Sequence, residues 1–376
     1  MTVYLDHNAT SPVSRDVLLA IEQYGASGWG NPSSVHRRGR SARAVVERTR
    51  HALARELGCE ARELTFTSGA TEAIDLALKN MVPRDRRVVV SAVEHPAVIA
   101  SLEALSAEVI RVPCDESGRL SADAFGAACD EQTAAVVVML AQNEIGNIYP
   151  IREIVDAVAP IPVFCDIVQA FGRMPVKVDE LGVKGVCLSG HKFGAPSGIG
   201  ALWLSGELDF RPVIHGGPQE RGRRAGTENM MGIVGFSQAL EELAIRRKDG
   251  GRQRKLIDLL IDGIHSSVGP IVIHGDRTNC LANTLNFRIE GVPGELLLQA
   301  LDLADVHVSS GSACSSGGLE PSATLLALGL TATQARSGIR VSIGPETSVE
   351  DIKTFCEKLG PIVMRIRANL ADEVVL

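Results

Sequence analysis

A regular alternation of short apolar runs and amphipathic segments occupies the chain between about residues 60 and 205. The runs are rich in β-branched residues, and most are followed by apolar residues at helical spacing. In order they read "LTFTS", "RVVVSAV", "AEVIRVP", "AAVVVMLA", "IPVFCD", "VKGVCLS" and "GIGALWLS". This pattern predicts an α/β fold in which βα units surround a mostly parallel sheet. Ligands of such sheets bind at the carboxyl ends of the strands.

The pattern changes in the last third of the chain. Residues 228–265 predict one long helical stretch, interrupted at Gly250 and Gly251, and after it come "PIVIHG", "TLNFRI", "GELLLQALDLA" and "GIRVSIG". These segments predict a smaller α+β domain, and 376 residues are more than one hydrophobic core usually organises. We expect a large domain over 15–250 and a small domain formed by 1–14 and 251–376.

Charge and hydropathy exclude several classes of partner. The net charge of −7 argues against a general affinity for nucleic acid or an anionic membrane. The longest apolar run, "AAVVVMLA", is too short to span a bilayer, and "MTVYLDHNAT" lacks the basic start of a signal peptide. We therefore expect a soluble, cytoplasmic protein without direct nucleic-acid binding.

Polar residues follow successive strands of the predicted sheet. They are "SGAT" at 68–71, His95, the pair Asn143 and Glu144, the pair Asp166 and Gln169, and the group Ser189, His191 and Lys192. Each has a simple structural explanation alone, such as a capped turn, a packed histidine or an N-cap. Together, a phosphate-type turn, an imidazole, an amide, a carboxylate and a lysine at one sheet edge are typical of pyridoxal phosphate chemistry.

Eight cysteines occur, and their spacings match neither a Cys-x-x-Cys pair nor a zinc signature, so we expect no metal site. Seven lie in or beside apolar or helical segments and are interpreted as structural: Cys59, Cys114, Cys129, Cys165, Cys187, Cys280 and Cys356. Cys314 differs because it lies in "SSGSACSSGG", residues 309–318, which predicts a mobile loop. Cys314 could have one of three functions: a metal ligand, half of a disulfide, or a nucleophile that moves with its loop.

The order of the motifs resolves this choice by resemblance. "YLDHNATSP", "GNPSSVHRRGR", "FTSGATEA", "EHPAV", "NEIGN", "SGHKFG", "RAGTEN" and "SSGSACSSGGLEPS" occur as in a cysteine desulfurase. The sequence resembles the long-loop, NifS/IscS-like branch of aminotransferase class V over nearly its whole length. That family has the type I fold of pyridoxal phosphate enzymes, in which the large domain contains a mostly parallel seven-stranded sheet.

The resemblance implies a role for each strand-end residue. Lys192 would bind the cofactor covalently and later move the substrate Cα proton, while Asp166 would pair with the pyridinium N–H. His95 would stack on the ring and shuttle protons. The other implied cofactor contacts are Gln169 to the phenolic oxygen, Ala70, Thr71, Ser189 and His191 to the phosphate, and Asn143.

The same resemblance implies a homodimer with shared sites and a substrate, L-cysteine. Thr227 would complete the phosphate site of the neighbouring subunit, and Arg340, with Asn143, would hold the substrate carboxylate. Cys314 would receive the substrate sulfur as a persulfide and pass it to an acceptor protein, in iron–sulfur cluster assembly or another sulfur-transfer pathway. A free thiol of pKa about 8.5 is mostly protonated at neutral pH, so it needs an acid–base partner or nearby positive charge.

Departures from the family pattern and competing functions accompany this interpretation. The residues after "SGHKF" are "GAPSG", without the Tyr and Lys that are frequent there, and His7 and Pro218 occupy positions where other residues are usual.

A selenocysteine lyase or another C–S lyase is the first alternative function. An aminotransferase, in which Cys314 would be idle, and a non-catalytic dimer on this fold are the others.

Overall fold

The computed structural model describes residues 2–208, 210–310 and 320–373. Its strands are β1 (Val3–Tyr4), β2 (Leu64–Thr67), β3 (Arg87–Ser91), β4 (Glu108–Val112), β5 (Thr133–Met139), β6 (Val163–Asp166), β7 (Gly185–Ser189), β8 (Gly200–Leu204), β9 (Val272–His274), β10 (Thr284–Arg288), β11 (Val306–His307), β12 (Ser309–Ser310) and β13 (Ile339–Ser342). Its α-helices are α1 (Arg15–Gln23), α2 (Arg37–Leu57), α3 (Ala70–Met81), α4 (Pro96–Ala104), α5 (Ala122–Ala128), α6 (Ile151–Val158), α7 (Val178–Leu181), α8 (Met230–Glu241), α9 (Leu243–Lys248), α10 (Gly250–Val268), α11 (Gly294–Asp302), α12 (Ala323–Ala327), α13 (Ala332–Arg336) and α14 (Val349–Glu373).

A seven-stranded sheet forms the centre of the larger part of the chain. Its strand order is β2-β8-β7-β6-β5-β3-β4, and only β8 runs antiparallel to its neighbours. The predicted α/β class and the mostly parallel seven-stranded sheet are therefore confirmed. Since β2, β3, β5, β6 and β7 all point the same way, their carboxyl ends meet at one edge of the sheet.

Both faces of this sheet are covered by helices, which explains why its strands are apolar throughout. Alternate residues point to opposite faces of a strand, so Ala135 and Val137 pack with α3 and α4. Val136 and Val138 pack on the other face, against α5 and α6 and next to the core residues of α1, α2 and α8. Burial on two sides fixes the register of β5 and hence the position of the residues that follow it.

The smaller part is an antiparallel sheet with helices. Strands β12, β13, β10 and β9 are adjacent in that order, and β1 pairs with β11 in a separate two-stranded sheet. Helices α10 and α14 pack against each other and, with α11, supply much of a second hydrophobic core. Val3 and Leu5 belong to this core, so the N-terminal segment joins the C-terminal part of the chain.

Two large hydrophobic clusters and the cluster between α3 and the sheet account for most of the buried apolar residues. A fourth, small cluster contains Ile145, Leu325, Leu328 and Ala335, and it connects the end of β5 with α12 and α13. The division of the chain at about residue 250 stays a prediction.

Two local expectations differ from the structure. The helical stretch at 228–265 is divided into α8, α9 and α10, and Gly250 begins α10 instead of ending a helix. Ser309 and Ser310, the first residues of the predicted loop, pair with β13, and Ser309 is buried. Within the described part of the chain, no helix combines the length and apolar character needed to cross a membrane.

Candidate active site

The start of α3 is an open N-terminus at the edge of the large sheet. Gly69 precedes the helix and provides no side-chain cap, so the first backbone N–H groups have no capping side chain. A Cβ atom on Gly69 would lie 3.7 Å from Ser189 Oγ, at the end of β7. On the other side, a Cβ on Gly200 would lie only 2.7 Å from the Gly69 Cα. The tight packing brings the start of α3, with Ala70 and Thr71, close to Ser189.

His95 is held in a defined orientation at the start of α4. Its Nδ1 accepts a hydrogen bond of 3.1 Å from the Ala97 backbone N–H, and Pro96 occupies the first helical turn. An accepting Nδ1 carries no proton, so the neutral ring bears its proton on Nε2. The cap therefore occupies Nδ1 and sets the orientation of the ring.

Asp166, the last residue of β6, is a buried carboxylate. Its Oδ1 accepts from the Val168 N–H at 2.8 Å. Burial raises the pKa of Asp166, and the Val168 N–H, His95 and Lys192 act in the opposite direction. The structure thus brings Asp166, His95 and Lys192 within electrostatic reach of one another. Gln169 lies nearby and donates to the Asn8 carbonyl at 3.0 Å, while its buried Oε1 has no partner among the described residues.

Lys192 follows β7 in a short 3₁₀ turn, Gly190–Lys192. Its Nζ donates to the carbonyls of Asn8 and Ala9 at 2.6 and 2.9 Å. The neighbouring His191 contacts Thr10 Oγ1 at 3.3 Å, and burial lowers its pKa to about 4, so its ring is neutral at neutral pH. The N-terminal segment therefore lies directly over the lysine.

We call these residues the strand-end cluster: Gly69, Ala70, Thr71, His95, Asp166, Gln169, Ser189, His191 and Lys192. Every member other than Gly69 was predicted from the sequence to belong to the site.

Arg340 and Asn143 meet at the border of the two parts of the chain. Arg340, on β13, is almost fully buried, and its guanidinium donates to the Asn143 carbonyl at 3.2 Å. It also forms an ion pair of 2.7 Å with Asp6. Asp6 is therefore the carboxylate that holds this guanidinium in place, and sequence reasoning did not identify it.

Glu144 is a second residue whose contacts were missed. Its fully enclosed carboxyl group accepts from Ser322 Oγ at 2.6 Å and from Thr324 Oγ1 at 3.0 Å. Burial raises the pKa of Glu144 to about 7. We call Glu144, Ser322 and Thr324 the loop anchor, because Ser322 caps α12 just after residues 311–319. The position of Glu144 after β5 was visible in the sequence, but its partners lie almost 180 residues further on.

Cys314 itself lies outside the described residues, between two fixed ends. On one side Ser309 pairs with Arg340 across β12 and β13. On the other side the loop anchor holds Ser322 against the end of β5. Thr227, predicted to serve a second subunit, is exposed, and Arg224 connects its segment to Glu72 in the first turn of α3 at 2.9 Å.

The other seven cysteines are free thiols that are buried or half-buried. Burial raises the pKa of Cys59 to about 12 and that of Cys356 to about 11, and it raises those of Cys165 and Cys187 as well. Such thiols stay protonated at neutral pH and are poor nucleophiles.

Comparison with known proteins adds the family. Residues 3–355 match the model of aminotransferase class V. This chain belongs to that family. It is 38% identical to "Cysteine desulfurase IscS" of Dictyoglomus turgidum, with 97% of this chain and 95% of the relative covered. It is 36% identical to "Cysteine desulfurase NifS" of Azotobacter vinelandii, with 97% and 93% covered.

Solved structures agree with this family assignment. A "NifS-like protein" superposes with a TM-score of 0.89 at 31% identity, with 97% of this chain and 100% of the other covered. "SspA in complex with cysteine" superposes with a TM-score of 0.80 at 28% identity over 92% of this chain and 100% of the other. The class V member described here thus has proteins named cysteine desulfurase among its sequence relatives and a NifS-like protein among its structural neighbours.

Proposed function

We propose that this enzyme is a cysteine desulfurase, a sulfurtransferase that converts L-cysteine to L-alanine and transfers the sulfur to Cys314. The observation that carries the proposal is the placement of His95, Asp166 and Lys192 at the carboxyl ends of β3, β6 and β7, at one edge of the sheet. That edge lies next to two fixed ends of the segment that contains Cys314.

The strand-end cluster fits pyridoxal phosphate. The uncapped start of α3, with Ser189 Oγ beside Gly69, suits the phosphate. The buried carboxylate of Asp166, held by the Val168 N–H, suits a protonated pyridine nitrogen. The orphaned Oε1 of Gln169 is a further polar atom awaiting a partner. Bound there, the cofactor supplies an electron sink that makes the substrate Cα–H bond acidic.

Lys192 and His95 manage protons in this proposal. The carbonyls of Asn8 and Ala9 hold the lysine amine at the sheet edge, from which Lys192 takes the substrate Cα proton. His95 offers its Nε2–H because the Ala97 N–H occupies Nδ1, and it returns a proton to the departing product. Arg340, oriented by Asp6, binds the substrate carboxylate together with Asn143.

The sulfur transfer is a displacement at the substrate sulfur. The Cys314 thiolate attacks that sulfur, a new S–S bond forms, and the substrate C–S bond breaks. The electron pair of the broken bond stays with the three-carbon skeleton, which is protonated and released as alanine. The sulfur remains on Cys314 as a persulfide until a thiol or an acceptor protein removes it, and no external oxidant is needed.

The loop anchor is a positioning device in this scheme. Ser322 and Thr324, which follow the segment that contains Cys314, are hydrogen-bonded to Glu144, next to Asn143. The end of that segment is therefore fixed, and this limits the positions that the thiol can occupy. Arg340 and His95 lower the pKa of Glu144 against the larger effect of its burial, which connects the anchor electrostatically with the substrate-binding residues.

Two further features belong to the proposal. We propose a homodimer in which the partner subunit's Thr227 completes the phosphate site, supported by its exposure and by the Arg224–Glu72 connection to α3.

We also propose that the enzyme works in the reducing cytoplasm, supported by the seven free cysteines among the described residues. The acceptor of the sulfur is a scaffold or carrier protein with a reactive thiol.

Mixed dimers test the shared site. One subunit carries Lys192→Ala and the other Thr227→Ala, so that a shared-site dimer contains one doubly defective site and one intact site. We expect about half of the parent activity per dimer, whereas sites confined to single subunits would leave both impaired.

The test of the activity is an incubation of purified protein, reconstituted with pyridoxal phosphate, with L-cysteine and with L-selenocysteine. Alanine and sulfide, or selenide, are measured with and without reductant. A desulfurase forms alanine without a keto-acid acceptor and releases sulfide only when a thiol reductant is present. Transamination of the substrate, or turnover of selenocysteine alone, would refute the proposal.

A further inference from the structure

A small, partly open cavity lies behind the strand-end cluster, where the N-terminal segment meets residues of the larger and the smaller part of the chain. It has a volume of about 30 Å³. Its polar lining comes from His7, Arg173, Lys192, Arg246, Gln253 and Asn283. The space is sufficient for one small ion or for one or two water molecules.

Arg173 brings a positive charge to this cavity without a carboxylate to neutralise it. Its guanidinium donates to the carbonyls of Gln169 and His7 at 2.7 and 3.1 Å, and it forms no ion pair with any residue that the structure describes. Burial, with the positive charges of Arg246 and Arg340, lowers the pKa of Arg173 to about 9. At neutral pH the group is still charged, so a half-buried cation without a carboxylate partner among the described residues lies at the cavity.

The neighbouring charges do not remove this imbalance. Arg340 is paired with Asp6, and Arg246 is paired at 3.5 Å with Glu242, which also accepts from Ser14 Oγ. The carboxylates of Asp6 and Glu242 thus form ion pairs with other guanidinium groups, and among the described residues Arg173 has no carboxylate partner.

Two further side chains on the cavity present nitrogen atoms without partners. His7 is only 3% exposed, and its Nδ1 has no hydrogen-bond partner among the described residues. Arg246, whose side chain is 9% exposed, has an Nε–H in the same condition. Burial lowers the pKa of His7 to about 4, so its neutral ring can carry its single proton on Nδ1 and donate it.

Two glycines leave the space that these side chains occupy. A Cβ atom on Gly344 would overlap the His7 ring, and one on Gly194 would overlap the Arg246 guanidinium. Gly194 also has a φ of 90°, which a residue with a Cβ adopts only with strain. His7 and Gly194 are positions where the sequence departs from the pattern of the cysteine desulfurases, and here the two departures meet at one cavity.

We propose that this cavity binds one small monovalent inorganic anion of the chloride type. The anion neutralises Arg173 and accepts from Arg246 Nε and His7 Nδ1. A water molecule could accept the same hydrogen bonds but would leave the charge of Arg173 uncompensated. The anion therefore joins the N-terminal segment, which covers Lys192, to both domains.

A crystal structure of the cofactor-loaded enzyme grown with sodium bromide tests the site directly. We expect an anomalous peak of bromide in the cavity, in contact with Arg173, Arg246 and His7. Ordinary water without anomalous signal there, or a carboxylate of the partner subunit in contact with Arg173, would overturn it.

Thermal unfolding gives an independent readout. At equal ionic strength, sodium chloride or bromide should raise the Tm of the loaded enzyme by about 2 °C relative to sodium gluconate. Arg173→Met should abolish this shift, and Arg246→Met should reduce it, whereas the exposed Arg48→Met should keep it. If Arg173→Met does not fold, Arg246→Met carries the comparison. An equal Tm in chloride and gluconate for the parent enzyme would refute the proposal.

Discussion

The strand-end cluster and the loop anchor each contain a buried carboxyl group, but they are assembled in different ways. Asp166 is fixed by the strand that ends at it and by a bond to the Val168 N–H, two residues away. The carboxyl group of Glu144 accepts from the hydroxyl groups of Ser322 and Thr324, which belong to a distant part of the chain.

This difference separates two tasks. A carboxylate on a rigid strand, supported by local backbone bonds, suits a group that must not move during the reaction. The contacts of Glu144 with Ser322 and Thr324 connect distant segments, and they fix the end of the segment that contains Cys314. We infer that the strand-end cluster holds the cofactor and that the loop anchor governs the approach of Cys314.

The largest effect is expected from the strand-end cluster. Asp166→Ala should lower alanine formation by about 10³-fold, because the buried charge that stabilises the protonated pyridine nitrogen is lost. Cofactor retention after gel filtration should also fall. Absorbance of the bound cofactor and alanine release measure the two effects, and an Asp166→Ala enzyme with parent activity would contradict the role.

A smaller and more selective effect is expected from the loop anchor. Glu144→Ala should lower alanine formation by about 10²-fold through misplacement of Cys314, while cofactor binding and the first spectral change with L-cysteine persist. Ser322→Ala with Thr324→Val should reproduce this pattern from the other side of the contact. Loss of cofactor in these variants would show that the anchor is part of the strand-end cluster after all.

The smallest effect concerns the pH dependence of stability. Burial raises the pKa of Glu94 from 4.5 to about 8. The folded state therefore binds more protons than the unfolded state between these values, and its stability falls as the pH rises from about 5 to 8. Glu94→Gln cannot ionise, so its Tm should fall less than that of the parent over this range, by about 2 °C.

The exposed Glu103→Gln is the matched control and should follow the parent. Identical pH profiles for Glu94→Gln and the parent would mean that the buried carboxyl group is not protonated on folding.

The strand-end cluster could be predicted because its information is local. His95 and Asp166 each follow a recognisable strand, and parallel strands necessarily bring their carboxyl ends to one edge. The fold class and the seven-stranded sheet follow from the same alternation.

The remaining features depend on contacts between distant residues. Arg340 and Asp6 are 334 positions apart, and Glu144 and Ser322 are 178 apart. Neither pair lies on neighbouring strands of the large sheet, so no periodicity in the sequence indicates the contact. The break between α8 and α9 at Glu242 was missed for a related reason, since packing and not the apolar pattern decides where those helices end.

The most direct test of the account is mass spectrometry of the enzyme after reaction with L-cysteine in the absence of reductant. We expect one additional sulfur atom on the peptide that contains Cys314, and we expect a thiol to remove it. Cys314→Ala should still bind cofactor and L-cysteine but should stop before alanine is released. Sulfur on any of the seven other cysteines, or a Cys314→Ala enzyme that turns over L-cysteine at the parent rate, would contradict it.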